Sequence, residues 1–245
     1  IHERLVGSEM CIRDRAQLPQ VEAAFVSMNA ETGAILSLVG GFDFRRNKFN
    51  HVTQAQRQPG SSFKPFIYAA AIEKGFSPST MVNDAPLSIG GLETGSQAWE
   101  PKNYDGKYEG LMRLRTALAK SKNLVSVRLI RTIGPSYAQD YIQRFGFEAE
   151  KHPPYLTMAL GAGSVTPLQM ASAYSVFANG GYRVDPYLIN KMTDSKGAVL
   201  FEARPTHARE DAPRVLDART SFVMDSMLQE AVSYTHLRAH ETLMN

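Results

Sequence analysis

One octapeptide of this 245-residue sequence carries a chemically specific pattern: Gln58-Pro59-Gly60-Ser61-Ser62-Phe63-Lys64-Pro65. It places Ser61 three residues before Lys64, where a loop is predicted to enter a helix. Residues at i and i+3 lie on one face of a helix, so the Lys64 amine can approach the Ser61 hydroxyl. The spacing therefore predicts a serine nucleophile with a lysine as its base. The alternative for a serine in this place is a simple helix N-cap.

The neighbouring residues favour a buried helix that begins close to Ser61. Gly60 allows a tight turn, and Pro65 is tolerated in a first helical turn, where its missing N–H has no partner to lose. Residues 66–72 form an uninterrupted apolar run. We expect this apolar run to bury the helix and so to fix the serine at the N-terminal end of the helix.

Composition is that of an ordinary globular protein. Hydrophobic residues make up 43% of the chain and the net charge is +3, which gives no indication of a nucleic-acid partner. No apolar stretch approaches the roughly 20 residues that span a bilayer. The single cysteine, Cys11, has no partner for an internal disulfide. His236 and His240 have helical i, i+4 spacing, but no third ligand lies nearby in the sequence, so we expect no metal site.

Hydrophobic periodicity and turn residues divide the chain into elements. Two antiparallel hairpins are predicted, and between them lies a long irregular segment, residues 75–110. The predicted hairpin strands are 21–28 with 34–39, and 187–193 with 198–203. The predicted helices are 111–120, 123–133, 135–145, 167–178 (with Thr166 as N-cap and Pro167 at its first position) and 217–231.

A second polar group, Ser121-Lys122-Asn123, lies between two predicted helices. An S-x-N sequence at such a junction can present a hydroxyl and an amide to one cleft. Alternatively, Ser121 or Asn123 is a plain N-cap for the helix that follows. Taken alone, the motif favours the plain N-cap.

Two further signatures complete an ordered set. The irregular segment contains Trp99-Glu100-Pro101-Lys102-Asn103-Tyr104, and residues 160–174 read L-G-x-G-x-V-T-P-L-x-M-A-x-A-Y. With S-x-x-K before them and S-x-N between them, this order resembles the transpeptidase domain of penicillin-binding proteins over about residues 20–232. The chain is most similar to the class A bifunctional enzymes of the 1A type.

The resemblance implies a fold and a chemistry. The fold is the mixed α/β (α+β) penicillin-binding, β-lactamase-like serine acyltransferase fold, with an antiparallel sheet and helices. Ser61 would attack the D-Ala-D-Ala bond of a peptidoglycan stem peptide, and Lys64 would act as the base. Ser121 would relay the proton to the leaving amine, and Asn123 would bind the substrate amide and orient Lys64. The Ser61 N–H would supply half of an oxyanion hole.

The remaining implications concern ligands and location. Trp99 and Tyr104 are candidates for the rim of the substrate cleft, and Gly161 and Gly163 are expected to serve backbone packing. β-lactams would acylate Ser61, and no cofactor is required. Lipid-linked precursors would be used through a glycosyltransferase domain, and an N-terminal anchor would hold the enzyme at the outer face of the cytoplasmic membrane.

The sequence departs from the family in one motif and at both ends. It contains no K-T-G; Lys196-Gly197 lacks the middle hydroxyl residue. Residues 1–15 and 233–245 do not resemble the family, so we expect two non-native tails around a partial transpeptidase domain, residues 16–232. The family's central sheet has five strands, and only the first two are present here, so the C-terminal strands that would pair with the hairpin at 21–39 are missing. K-T-G would bind the substrate carboxylate and supply the other oxyanion donor. We therefore expect the chain as written to fold poorly and to be nearly inactive.

Two other functions remain open for this fold. A β-lactamase or D,D-carboxypeptidase would hydrolyse the acyl-enzyme, and class A β-lactamases use a glutamate placed after the S-D-N motif. Glu100 lies before Ser121, in the wrong order for that role. A penicilloyl-binding sensor would keep the serine and lysine and would be acylated without turnover.

Overall fold

The computed structural model describes residues 21–91 and 97–242, with side chains described as far as Tyr234. Its strands are β1 (Phe25–Met28), β2 (Ile35–Val39), β3 (Met81–Asp84), β4 (Gly110–Arg113), β5 (Lys191–Thr193) and β6 (Val199–Glu202). Its α-helices are α1 (Lys64–Glu73), α2 (Leu114–Ala119), α3 (Asn123–Ile133), α4 (Pro135–Ile142), α5 (Pro167–Ala178) and α6 (Ala218–Thr242). Short 3₁₀ turns cover Gly60–Phe63, Gln143–Phe145, Ala149–Lys151 and Leu156–Leu160.

Helix α1 lies at the centre of the core. Its residues 64–71 are all buried, and it packs against α3, α4 and α6. A helix that is apolar on every side is stable only when it is surrounded. The Phe66 ring shows how: its centroid lies 4.9–5.5 Å from the centroids of five other rings, Phe63, Phe145, Phe147, Tyr174 and Phe177. The predicted buried helix behind Ser61 is therefore confirmed.

In the described part of the chain the strands form three separate two-stranded antiparallel sheets, of which β1–β2 and β5–β6 are hairpins. In β1–β2, Phe25 pairs with Val39 and Met28 with Ile35, and β1 packs against α5. Both predicted hairpins are confirmed with shorter strands. The prediction of a helix from residue 111 was wrong at its start, because residues 110–113 pair with β3 instead. That pairing is non-local, and Gly110 enters it at φ +73°, a conformation that helical periodicity cannot reveal.

The last two helices differ in how well their ends were predicted. Helix α5 begins as expected, with a capping box in which Thr166 Oγ1 accepts from Gln169 N at 3.1 Å and Thr166 N donates to Gln169 Oε1 at 2.9 Å. Helix α6 was predicted to end near residue 231, whereas its backbone stays helical to Thr242.

Within residues 21–91 and 97–242, no helix combines the length and the apolar character that crossing a membrane requires. The side chains of His236 and His240, and the whole of Cys11, lie outside the described part of the structure.

Candidate active site

Ser61 lies on an exposed 3₁₀ turn, Gly60–Phe63, that leads directly into α1. Gly60 has φ +58°, which glycine adopts without steric cost. Two residues after Ser61, the Phe63 side chain is fully buried and stacks on His152 with centroids 5.0 Å apart. The serine is thus held at the surface by a turn whose other end is anchored in the core.

A second segment supports this turn from outside the helix. Gly60 N donates to Gly161 O at 3.4 Å, while Gly161 N donates to Met158 O at 3.0 Å. An added Cβ on Gly161 would come within 2.2 Å of Gly60 O, and Gly161 itself has φ +71°. Arg57 and Val165 continue the contact as an antiparallel bridge, with N–H···O distances of 2.9 and 3.0 Å. Gly161 therefore serves the close approach of two backbones, as expected.

The Lys64 side chain is buried, with 1% of its surface exposed, and its amine reaches the S-x-N turn. Lys64 Nζ donates to Ser121 O at 2.6 Å, to Ser121 Oγ at 3.0 Å and to Asn123 Oδ1 at 2.7 Å. An ammonium group has three N–H donors and no acceptor. Each donor of Lys64 therefore has its own acceptor, and all three acceptors are uncharged.

Burial lowers the pKa of Lys64 from its usual 10.5 to about 8. Removing a charge from water disfavours the ammonium form, and a hydroxyl, an amide and a carbonyl offset that cost less than a carboxylate would. With a pKa near 8, about a tenth of the Lys64 amines are neutral at pH 7, against less than ~0.1% at the usual pKa. A neutral amine is the form that can accept a proton from a serine.

Deprotonation changes which partners can stay bound to Lys64. A neutral amine keeps two N–H donors and gains a lone pair, whereas Ser121 O and Asn123 Oδ1 can only accept. The Ser121 hydroxyl is the one partner that can reverse its role and donate to Nζ. The Asn123 amide is held in orientation because its Nδ2 donates to Lys102 O at 2.9 Å. The arrangement can therefore pass a proton between Lys64 and Ser121.

Ser121 has an unusual backbone conformation, with φ +53°. A non-glycine residue in the left-handed region is uncommon and is kept only where its surroundings fix it. Its N–H donates to Leu118 O at 2.9 Å at the end of α2, and the following N–H of Lys122 donates to Ala117 O at 2.9 Å. The conformation coincides with the 2.6 Å contact between Ser121 O and Lys64 Nζ.

The structure brings three of the four predicted catalytic side chains into direct contact. Lys64, Ser121 and Asn123 form one hydrogen-bonded group; Ser121 and Ser61 are exposed, whereas Lys64 is buried. Among the described residues, the Ser61 hydroxyl makes no hydrogen bond to Lys64. The two residues share a turn, where the Lys64 backbone N–H donates to Ser61 O.

The reading of Ser121 or Asn123 as a plain N-cap was wrong. Helix α3 begins at Asn123, and its N-cap residue, Lys122, makes no side-chain cap bond. The cap comes instead from Asn103, whose Oδ1 accepts from Asn123 N at 2.9 Å and from Leu124 N at 3.3 Å. Asn103 lies 20 residues before Asn123 in the sequence, and local patterns gave no signal of that contact.

The two rim candidates occupy different environments. Trp99 is half-buried, packs against the main core and pairs with Ile89 through two 2.9 Å backbone hydrogen bonds. Tyr104 is fully exposed. Trp99 therefore has a structural role, and substrate contacts by Trp99 or Tyr104 stay predictions.

An apolar cavity of about 320 Å³ lies beside the serine turn. Its lining includes Pro59, Ser62, Val165, Met170 and Tyr174, and Tyr174 Oη donates to Ser62 O at 2.7 Å. Ser61 is not part of that lining. The cavity therefore borders the turn without containing the nucleophile candidate.

Comparison with known proteins gives consistent results. A family model described as the penicillin binding protein transpeptidase domain matches residues 23–243. Penicillin-binding protein 1A of Neisseria flavescens is 50% identical over 227 residues, which cover 93% of this chain and 28% of that protein. The same protein of Escherichia coli is 50% identical over 190 residues, 78% of this chain and 22% of that protein. The chain thus spans about a quarter of the length of these curated relatives.

Solved structures agree with the sequence relatives. The crystal structure of penicillin-binding protein 1A from Haemophilus influenzae matches with a TM-score of 0.83 at 41% identity, over 88% of this chain and 36% of that one. PonA1 from Mycobacterium tuberculosis matches with a TM-score of 0.77 at 24% identity, over 95% of this chain and 61% of that one, and so supports the fold alone. The expected mixed α/β transpeptidase fold is confirmed.

Replacing Gly161 with alanine is expected to destabilise the serine turn. The new Cβ would overlap Gly60 O at a left-handed φ, and we expect a loss of about 2–4 kcal/mol in the free energy of unfolding. Gly197→Ala is the matched control: Gly197 also has a positive φ, +84°, but nothing lies within 4 Å of its added Cβ, so about 1–2 kcal/mol is expected. Equal losses of stability, measured by chemical denaturation, would contradict the close-approach argument.

Proposed function

Because the chain belongs to the penicillin-binding protein transpeptidase family, we propose that its protein is a serine-type D,D-transpeptidase that cross-links peptidoglycan stem peptides. The observation that supports this most is the convergence of Ser121 O, Ser121 Oγ and Asn123 Oδ1 on the buried Lys64 amine beside Ser61. It supplies a lysine base of lowered pKa next to an exposed hydroxyl.

Acylation begins with Ser61. Its Oγ attacks the carbonyl carbon of the penultimate D-alanine, and its proton passes to the neutral Lys64 Nζ. The C–N bond then breaks, and the leaving D-alanine amine takes a proton from Ser121, which Lys64 replenishes. The product is an ester between Ser61 and the stem peptide.

Cross-linking reverses the proton flow. An amine of a second stem peptide attacks the ester carbonyl and loses its proton to the Lys64–Ser121 pair, while Ser61 Oγ leaves and recovers a proton. The first N–H groups of a helical segment have no intrahelical partner, so the Ser61 N–H is available to the developing oxyanion. A β-lactam carbonyl would enter by the same route and remain as a stable ester.

Asn123 would bind Lys64 and the substrate at the same time. Its Oδ1 accepts from Lys64 and its Nδ2 donates to Lys102 O. A carbonyl oxygen has a second lone pair, so Oδ1 can accept from the substrate's backbone N–H without releasing Lys64. Tyr104, fully exposed on the loop that holds Asn103, would lie at the rim over the bound peptide.

The surroundings of the enzyme follow from its substrate. Peptidoglycan stem peptides are cross-linked at the outer face of the cytoplasmic membrane, and we place the protein there, on the periplasmic side of the cell envelope. In a polypeptide of the relatives' length, a glycosyltransferase domain would supply glycan from lipid-linked precursors and an N-terminal segment would hold it to the membrane.

The hydrolytic alternative is less well supported. A class A β-lactamase activates water with a carboxylate close to the serine and lysine. Among the described residues, the hydrogen-bond partners of the Lys64 amine are a carbonyl, a hydroxyl and an amide oxygen, with no carboxylate. Rapid release of penicilloate would favour the hydrolase, and labelling without cross-linking of stem peptides would favour a penicilloyl-binding sensor.

Ser61→Ala in the full polypeptide that the gene encodes is expected to abolish covalent labelling by a fluorescent penicillin. Ser62→Ala is the matched control, since Ser62 is equally exposed and its hydroxyl donates only to Pro59 O, at 2.6 Å. We expect the Ser62 variant to label within about threefold of wild type. Labelling that survives in Ser61→Ala, seen by intact-mass measurement, would refute Ser61 as the nucleophile.

The 245-residue chain itself is expected to label slowly. It contains no K-T-G, and the loss of one oxyanion donor costs about 10²–10³ in rate. We therefore expect acylation at least about 100-fold slower than in the full polypeptide. The comparison uses the same fluorescent penicillin at equal concentrations of folded protein, and similar rates would show that K-T-G is dispensable for acylation.

A further inference from the structure

The cap of helix α3 is a buried asparagine with every hydrogen-bonding group in use. Asn103 is 5% exposed. Its Oδ1 accepts from the backbone N–H groups of Asn123 and Leu124, and its Nδ2 donates to Asp84 Oδ1 at 2.7 Å and to Lys107 O at 2.8 Å. A side chain with four good partners is fixed in position and amide orientation.

Asp84 and Lys122 extend this contact into a buried polar cluster. The Asp84 side chain is fully buried, and its Oδ2 accepts from Glu109 N at 3.0 Å and lies 3.6 Å from Lys122 Nζ. Lys122 is 3% exposed and also pairs with Asp105 at 3.2 Å and Glu109 at 2.9 Å. Burial alone would lower the pKa of Lys122, but these carboxylates outweigh it and raise the pKa, so the lysine stays charged.

The cluster holds the catalytic turn from two directions. Lys122 is the residue between Ser121 and Asn123, and its side chain is anchored to β3 and to the loop before β4. Asn103 holds the Asn123 backbone, while its neighbour Lys102 accepts the Asn123 side-chain amide. The positions of Ser121 O and Asn123 Oδ1 therefore depend on contacts outside the S-x-N motif.

We propose that the Asp84–Asn103–Lys122 cluster is a positioning element for acylation and that Asn103 is a positioning residue acting through Asn123 and Ser121 on Lys64. The proposal rests on the proposed function, since it concerns the acylation of Ser61. The W-x-P-x-N-Y loop then contributes to catalysis by position: it carries Asn103, which keeps the three acceptors on Ser121 and Asn123 within hydrogen-bond distance of the Lys64 amine.

The physical reason is the unusual shape of the turn. The left-handed conformation of Ser121 persists only while its neighbours hold it. If Asn103 or Lys122 releases the start of α3, the turn can relax and water can reach the Lys64 amine. Relief of desolvation would raise the pKa of Lys64 toward its usual value, and a shift of about 1 Å in a catalytic group costs up to ~100-fold in rate.

The same chain contains a matched asparagine outside the candidate site. Asn179 is fully buried, its Nδ2 donates to Ala30 O at 2.9 Å and Tyr182 O at 2.8 Å, and its Oδ1 accepts from the N–H groups of Gly181 and Tyr182. Asn→Asp at residue 179 removes the same number of donor bonds as at residue 103. This control variant therefore distinguishes a general loss of stability from a loss of positioning of the catalytic turn.

The decisive experiment measures benzylpenicillin acylation between pH 6 and pH 10 in the full polypeptide. Wild type should show a rate that rises with pH to a plateau, with a midpoint near 8. The Asn103→Asp substitution places a second carboxylate opposite Asp84. The plateau of the acylation rate should therefore fall about 10- to 100-fold, and the midpoint of its pH profile should move upward. Asn179→Asp should lower the melting temperature and keep the wild-type plateau and midpoint.

A double exchange provides the rescue. In Asp84→Asn/Asn103→Asp, the amide and carboxylate change places, and the bonds between residues 84 and 103, to Glu109 N and to the start of α3 can re-form. The bond to Lys107 O and the ion pair between residue 84 and Lys122 are lost, but Lys122 keeps Asp105 and Glu109 as partners. We expect most of the lost rate and the original midpoint to return. If the double variant behaves like Asn103→Asp, or if Asn103→Asp and Asn179→Asp have the same profile, the positioning role is refuted.

If Asn103→Asp is too unstable to purify, Lys122→Met tests the other anchor by the same measurement. Lys120→Met is its control, because Lys120 forms an ion pair with the same Glu109 from the solvent side, with 2.5 Å between Lys120 Nζ and Glu109 Oε2. We expect a loss of at least about tenfold with Lys122→Met only. Equal rates in the two variants would refute the proposal, whereas a wild-type protein that is never acylated would refute the proposed function instead.

Discussion

The burial of one lysine amine is the constraint around which this structure is organised. Lys64 is almost completely removed from water, and a buried ammonium is tolerated only when each of its donors has an acceptor. Those acceptors come from Ser121 and Asn123, more than fifty residues later in the chain. The sharp turn at Ser121, the cap from Asn103 and the ion pairs of Lys122 all keep that small group of acceptors in place.

The turn that carries Ser61 is also held by packing. The serine turn is continuous with α1, and Phe63 and Phe66 tie its first residues to a cluster of aromatic rings. Gly161 permits a second backbone to support Gly60 from the other side. The exposed Ser61, the proposed nucleophile, is therefore held on both sides by packed residues, and a precise approach to a carbonyl carbon requires such positioning. Stability and chemistry share the same residues here.

Local sequence patterns predicted the elements that depend on local interactions. The spacing of Ser61 and Lys64, the apolar run behind them and the capping box at Thr166 were sufficient to place α1 and α5. The patterns failed where partners are distant: 25 residues separate β3 from β4, and Asn103 caps a helix that begins twenty residues later. The S-x-N motif was found as a motif, but its left-handed serine and its anchoring by Asp84 depend on tertiary contacts that no short window contains.

Burial among neutral acceptors lowers the pKa of Lys64, and direct titration of its amine tests this. Protein labelled with ¹³C and ¹⁵N in lysine, with the Lys64 signal assigned through a Lys64→Arg variant, can be followed by NMR from pH 6 to pH 11. We expect a midpoint of about 8 for Lys64. A midpoint close to 10.5, the ordinary value for lysine, would contradict it.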